Sequence, residues 1–221
     1  LTPADVDMIM FTSVTGIAVP SIDARLVGAL GLRPDVKRLP VFGLGCVAGA
    51  AGISRLHDYL RGWPGHVAVL LSVELCSLTV QRGDDSPAGL VASALFGDGA
   101  AAVVACGAGR GTGGPVVVAA RSHLYPDSEH VMGWRVGGGG LRVVLDAGVP
   151  EVVRRYLADD VHAFLSDHGV TADQVSAWVC HPGGPKVLDA VAESLDLPPG
   201  ALDVTWRSLR DNGNLSSSSV L

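Results

Sequence analysis

The chain has 221 residues, 48% of them hydrophobic and only 17% charged, which excludes a disordered segment and leaves ample material for a buried core. A net charge of −6 without any basic block argues against nucleic acid as a partner. No apolar run approaches the ~18 residues of a membrane span, no signal-peptide pattern opens the chain, and the four cysteines form neither a CxxC pair nor a zinc-spaced cluster. A reduced thiol protein of the cytoplasm, with no metal, fits this composition.

Residues 6–13 are a short run of strand formers. Pro20-Ser21 then introduces a helix, with Ser21 as N-cap, Ala24, Leu26, Val27, Leu30 and Leu32 on its apolar side, and Gly31 at its end. Residues 36–44 read as the next strand, which delivers Cys46 within Gly43-Leu44-Gly45-Cys46-Val47-Ala48-Gly49-Ala50. A helix over residues 47–60 places Ile53, Leu56, Tyr59 and Leu60 on one side and Arg55 and Asp58 on the other. Residues 66–74 form a near-continuous apolar strand of the kind buried on both faces. A loop over 82–89 and a helix beginning at 90–95 follow, and Phe96-Gly97-Asp98-Gly99 turns into a strand at 100–105.

The glycine-rich stretch 107–115 reads as a seam between two halves, residues 1–107 and 108–221. Beyond it, strands are expected at 116–120 and 141–145, around an irregular segment at 123–140. The clearest amphipathic helix covers 149–168, with Val152, Val153, Tyr156, Leu157, Val161, Phe164 and Leu165 inward. A short buried strand at 177–180 ends at His181-Pro182-Gly183-Gly184-Pro185, a helix covers 186–195, and 198–210 reads as a connecting segment. Both ends look cut, so the chain is expected to be an internal fragment that folds poorly and turns over little by itself.

Three polar residues sit between glycines at the tips of elements: Cys46, His181 and Asn214. A thiol at the first turn of a helix faces unpaired N–H groups and the positive end of the macrodipole, which favour thiolate. Singly, each residue also suits a plainer role: an inert core cysteine, a satisfied histidine, a turn asparagine. Together they offer a nucleophile and two N–H donors for an oxygen that gains negative charge.

Four motifs stand in order: G-x-G-C-x-A-G around Cys46, A-L-F-G-D-G at 94–99, H-P-G-G-P at 181–185 and G-N-x-S-S at 213–217. Through them the chain resembles a type III polyketide synthase, of the chalcone synthase-like group of thiolase-superfamily condensing enzymes, over essentially its whole length. The resemblance implies an α/β, thiolase-like fold with two pseudo-duplicated βαβαβ halves in an α/β/α/β/α layering, truncated at both ends. It implies that Cys46 carries the starter acyl group and the growing chain as a thioester. His181 would form an ion pair with the thiolate and, with Asn214, hold the thioester oxygen of malonyl-CoA as it decarboxylates; the enolate then extends the acyl chain. The substrates would be acyl-CoA and malonyl-CoA, with no cofactor, and the product a cyclised pyrone or resorcinol. A homodimer is implied as well, with Val19-Pro20 where family dimers push a loop into the neighbouring subunit's cavity.

The contexts VTGIAVPS at 14–21 and GLGCVAGAAG around Cys46 resemble bacterial alkylpyrone and alkylresorcinol synthases that take fatty acyl starters. Phe96 matches the family's gatekeeping phenylalanine, although a plain core aromatic is an equal reading. A second gate aromatic is expected near Val143, and valine there implies a wider gate. By the same resemblance Val14, Thr15, Cys76, Thr79 and Ser216 line the cavity, Gly183 and Gly184 border the substrate, and Lys186 either touches CoA or is an ordinary solvated lysine. Asp98 is expected to order a turn and Glu74 to be paired or hydrogen-bonded. Among rivals, an initiating ketoacyl synthase usually shows H-Q-A-N after its histidine, a thiolase needs a cysteine after Cys180, and a papain-like hydrolase needs C-G-[SA]-C-[WY]; none of these is present. A non-catalytic chain that retains the motifs is the remaining alternative.

Overall fold

The computed structural model describes residues 1–111 and 113–221. Its centre is a four-stranded sheet of β1 (Met8–Thr12), β2 (Lys37–Val41), β3 (Val67–Glu74) and β4 (Gly99–Cys106), in the order β2-β1-β3-β4. β1 runs parallel to β2 and β3, and β4 lies antiparallel to β3. Strand side chains alternate between faces, so Met8, Met10, Ala68 and Leu70 meet Leu56 and Leu60 of α2 (Ala48–Gly62) on one side. Ile9 points the other way, with Val6 and Val36, against Val27 of α1 (Ile22–Leu30). Covered on both faces, all five residues of β1 are buried, which is why it reads as continuous apolar sequence.

The second half is built differently. β5 (Met132–Gly137) and β6 (Gly140–Leu145) form an antiparallel hairpin separate from the main sheet. Helix α4 (Val149–Ser166) packs through Val153, Leu157 and Val161 on Val191 and Leu195, which flank the end of α5 (Pro185–Ser194), and Leu202 joins them ahead of α6 (Asp203–Asn212). Helix α3 (Pro87–Leu95) is capped by Ser86, whose Oγ accepts a bond from Gly89 N at 3.1 Å.

Four expectations are corrected here. The segment 123–140 is not wholly irregular, since it contains β5, whose residues alternate Met132, Trp134, Val136 with Gly133 and Arg135. The stretch 198–210 is not a plain connector, because α6 begins at Asp203. Residues 116–120 and 177–180 are in no strand. A strand exists only by pairing its backbone groups with a neighbour, and none of the described strands pairs with either segment. Among the described residues, the sheet of the second half is the hairpin β5–β6. Within the expected seam, Thr112 lies outside the described residues.

One close approach ties the two halves together. A Cβ placed on Gly49, in the first turn of α2, would lie 2.1 Å from the carbonyl oxygen of Ser217. That contact admits glycine alone, because neither a helix backbone nor a buried carbonyl yields cheaply. Gly49→Ala is expected to lose about 1–3 kcal/mol of stability or more in urea unfolding, whereas Ala50→Ser, on the exposed side of the same turn, stays within about 0.5 kcal/mol.

Candidate active site

Cys46 lies in a 3-10 turn, Gly45–Val47, that runs directly into α2. Gly43 and Gly45 hold φ of 97° and 61°, left-handed values that turn the chain sharply from β2 into the helix. The thiol's hydrogen-bond partner is Ser216 Oγ at 3.4 Å. Burial is the largest influence on Cys46 and pushes its pKa up; the Ser216 bond lowers it and the nearby Glu74 carboxylate raises it.

Asn214 is 1% exposed, and its orientation is set from two sides. Its backbone N donates to Leu95 O at 2.8 Å and its carbonyl accepts from Gly97 N at 3.0 Å. Its side-chain Oδ1 accepts from Ser216 N at 2.8 Å, and Nδ2 reaches Gly183 O at 3.5 Å. Because a backbone N–H needs an acceptor, the Ser216 bond fixes which end of the amide is oxygen and leaves the NH₂ on the side of the histidine motif. Gly213, at φ 75°, brings this strand-like turn within reach of Leu95 O, 2.6 Å from where a Cβ would stand.

His181 follows Cys180, whose N and O both bond to Thr205 Oγ1 of α6 at 3.4 Å. The ring's Nδ1 is buried without a partner, and burial pushes the histidine pKa down to about 4. A buried bare acceptor is tolerated better than a bare N–H, so the ring proton belongs on Nε2. The three candidates are thus joined in a relay: Cys46 to Ser216, Ser216 to Asn214, Asn214 to Gly183, and Gly183 beside His181. The Cys46 thiol bonds to Ser216, and burial disfavours the charged form of both the thiol and the imidazole.

Beneath this relay sits a buried polar cluster. Glu74, 0% exposed at the end of β3, accepts bonds from Val14 N at 3.0 Å, Thr15 Oγ1 at 3.1 Å and Ser217 Oγ. Ser72, two residues earlier on the same face, bonds Ser217 and Ser218 at 2.8 and 2.9 Å. Glu74 is therefore hydrogen-bonded, as expected for a carboxylate at a buried strand end. Asp98 does not order its own turn but holds the turn at Cys76–Thr79 against it, accepting from Ser77 N at 2.7 Å and Ser77 Oγ at 2.6 Å.

Cys46 opens into a cavity of about 360 Å³. Val14, Thr15, Cys76, Phe96, Val143 and Ser216, all expected there, line it. Thr79 lines an adjoining cavity of about 210 Å³ that shares Cys76, Phe96, Trp134 and Val143 with the first. Gly183, Gly184 and Lys186 line neither; Lys186 sits in a separate surface cleft between α4 and α5 with Arg154 and Glu193. Burial and the Glu74 carboxylate hold the Cys76 thiol up at about 12, which suits a pocket wall and not a second nucleophile.

Sequence reasoning missed Phe42, Met132, Trp134, Val136 and Leu145, all of which line the Cys46 cavity. The alternation of Met132, Trp134 and Val136 was the available signal. Trp134 also alters the reading of Val143: the two residues are cross-strand partners in the hairpin, so an aromatic faces the valine and the gate is not simply wide. The cavity opens to solvent past Met132 and Val136, which are 47% and 71% exposed.

Residues 2–109 match the N-terminal domain, and residues 116–221 the C-terminal domain, of chalcone and stilbene synthases. The chain belongs to the chalcone and stilbene synthase family. It is 64% identical, over all of its length, to a 1,3,6,8-tetrahydroxynaphthalene synthase of Streptomyces peucetius subsp. caesius, and spans 59% of that protein. It is 38% identical over 98% of its length to a putative chalcone synthase of Bacillus subtilis (strain 168), spanning 61% of it. The crystal structure of 1,3,6,8-tetrahydroxynaphthalene synthase from Streptomyces coelicolor A3(2), a bacterial type III polyketide synthase, superposes with a TM-score of 0.95 at 33% identity, covering 100% of this chain and 62% of that one. The fold is accordingly that of the bacterial type III polyketide synthases. Among the described residues, no helix is long and apolar enough to cross a membrane.

Two outcomes test the site's electrostatics. Glu74→Ala leaves Val14 N without its acceptor, while the Thr15 and Ser217 hydroxyls keep Ser13 and Ser72 as partners, and is expected to cost on the order of 2 kcal/mol in urea unfolding; a loss below about 0.5 kcal/mol would contradict the network. For His181, the unfolded chain takes up a proton below 6.5 and the folded chain only near 4. The stabilisation is therefore complete above pH 6.5, shrinks as pH falls toward 4, and is absent below that. The fall in Tm between pH 6.5 and 4 should be shallower in His181→Gln than in the parent protein.

Proposed function

We propose that this chain carries the reaction centre of a polyketide-forming acyltransferase, with Cys46 as the nucleophile and Asn214 and His181 as donors to the developing oxyanion. The observation that carries the reading is the shared anchoring of Cys46 and Asn214 on Ser216, with Cys46 and Ser216 lining a largely apolar cavity that opens to solvent. The Cys46 sulfur attacks an acyl-CoA carbonyl, a new carbon–sulfur bond forms, and CoA leaves carrying the proton that the thiol releases. Malonyl-CoA then loses CO₂; the electron pair of the broken carbon–carbon bond becomes an enolate, whose oxygen the Asn214 and His181 N–H groups receive. The enolate carbon attacks the Cys46 thioester carbonyl and expels the sulfur as a thiolate, leaving the extended chain on CoA; the thiolate then takes the chain back as CoA departs, or takes up a proton.

No base is needed to generate the carbanion, because decarboxylation supplies it. Neutral donors suffice for the oxyanion, which agrees with a histidine held neutral by burial. Substrates are thus acyl-CoA and malonyl-CoA, and CoA thioesters, not a bound cofactor, supply the chemistry. The expected homodimer is supported by the exposure of Ile17 and Val19, apolar side chains on the loop before α1.

For the product, the 64% identity to a tetrahydroxynaphthalene synthase supports a polyhydroxylated aromatic assembled wholly from malonyl-derived units. Trp134, standing across from Val143, favours such compact intermediates. The apolar lining by Phe42, Met132, Val136 and Leu145 favours the second reading, a fatty acyl starter closed to a pyrone or resorcinol.

Incubating the intact protein with malonyl-CoA alone, and with acyl-CoAs of graded length, should release CO₂ and give cyclised products whose masses identify the starter. Hydrolysed starter without CO₂ would mean a hydrolase. Cys46→Ala should abolish covalent acyl loading, and Asn214→Ala should leave loading intact while slowing CO₂ release by about 10²–10³.

A further inference from the structure

The hairpin β5–β6 supplies one whole wall of the cavity, through Met132, Trp134, Val136, Val143 and Leu145. It belongs to no larger sheet, so its position is set by side-chain ties and packing. The strongest polar tie is Gln81, whose Nε2 donates toward Gly139 O at 3.2 Å, Leu141 O at 3.2 Å and Thr79 O at 3.4 Å. Gly139 lies in the hairpin turn and Leu141 follows it on β6, while Thr79 lines the adjoining cavity. Thr79 Oγ1 in turn donates to Cys76 O at 2.8 Å, which carries the link to a residue lining both cavities. The other ion pair to the hairpin from this loop, Arg142–Asp84 at 3.9 Å, is loose and half-exposed and contributes little.

We infer that Gln81 is a positioning residue: its amide pins the hairpin wall to the Cys76–Thr79 floor and thereby sets the shape of the cavity in which the acyl chain grows. Three carbonyl oxygens converge on one amide nitrogen, so its assignment as nitrogen is forced, since an oxygen there would face three acceptors. The nitrogen has only two hydrogens for three acceptors, and an ammonium, with three, satisfies the same set. The role in product control rests on the function proposed above; the pinning of the wall does not.

The test uses Gln81→Glu, which keeps the shape and removes the donor, Gln81→Ala, and Gln81→Lys, which restores donors. Hydrogen–deuterium exchange of the substrate-free protein should rise over residues 132–145 in the Glu and Ala variants, stay near the parent level in the Lys variant, and remain unchanged over β3. With malonyl-CoA, acyl loading on Cys46 should be unaffected while the ratio of longer to shorter products shifts about fivefold in the Glu and Ala variants, the order expected for loss of one neutral hydrogen bond. Unchanged exchange over 132–145 in the Glu variant, or a rise that spreads to β3, overturns the pinning. Raised exchange with an unchanged product ratio overturns the control of cavity shape. A parent protein that makes no condensation product counts against the proposed function, and the exchange measurement still decides the role of Gln81.

Discussion

The buried carboxylate of Glu74 is the constraint on which the arrangement of this protein's functional groups depends. A charge-bearing group with no exposed surface is costly unless donors surround it. Its three donors come from two separate places: the turn after β1, through Val14 and Thr15, and the serine run near residue 217. Satisfying Glu74 therefore forces those segments together at the end of β3. Ser217 in turn lies against Gly49, and its neighbours Ser216 and Asn214 stand in fixed register with it. The thiol and the carboxamide acquire their relation from a group that touches neither substrate nor oxyanion.

The same carboxylate bears on the chemistry. Together with burial it raises the Cys46 and Cys76 thiols, so an anion at either sulfur is disfavoured in the resting protein. A neutral thiol is less exposed to oxidation and alkylation than a standing thiolate. The helix N-terminus behind Cys46 pulls the other way, as the sequence suggests, but it acts on a thiol whose surroundings are dry and already hold a carboxylate.

How much of this was legible in the sequence depends on where the determining contacts lie. β1, β3 and α2 were readable because each is organised by its own apolar pattern, and the glycine contexts of Cys46, His181 and Asn214 mark those positions locally as candidates. The cavity residues on β5 were not, since Met132 and Trp134 alternate with glycine and arginine in a segment dense in turn formers. Helix α6 was hidden because its inward face is Leu202, Thr205 and Leu209, with a threonine at the centre that bonds Cys180, in an otherwise charged stretch. The segments 116–120 and 177–180 have strand-like composition, yet composition alone cannot create a ladder. The neutral state of His181 was illegible for another reason: it follows from burial of the ring, a property of the assembled fold.

Trp134 and Val143 occupy facing positions on one ladder, so the bulk they present to the cavity is a joint property of the pair. Position-by-position comparison with relatives would score valine at 143 as an opened passage and tryptophan at 134 as an unrelated gain. In three dimensions the two describe one quantity, the space left between adjacent strands. Specificity inferred from either column alone would be misassigned, and the informative variable is the summed side-chain volume across the rung.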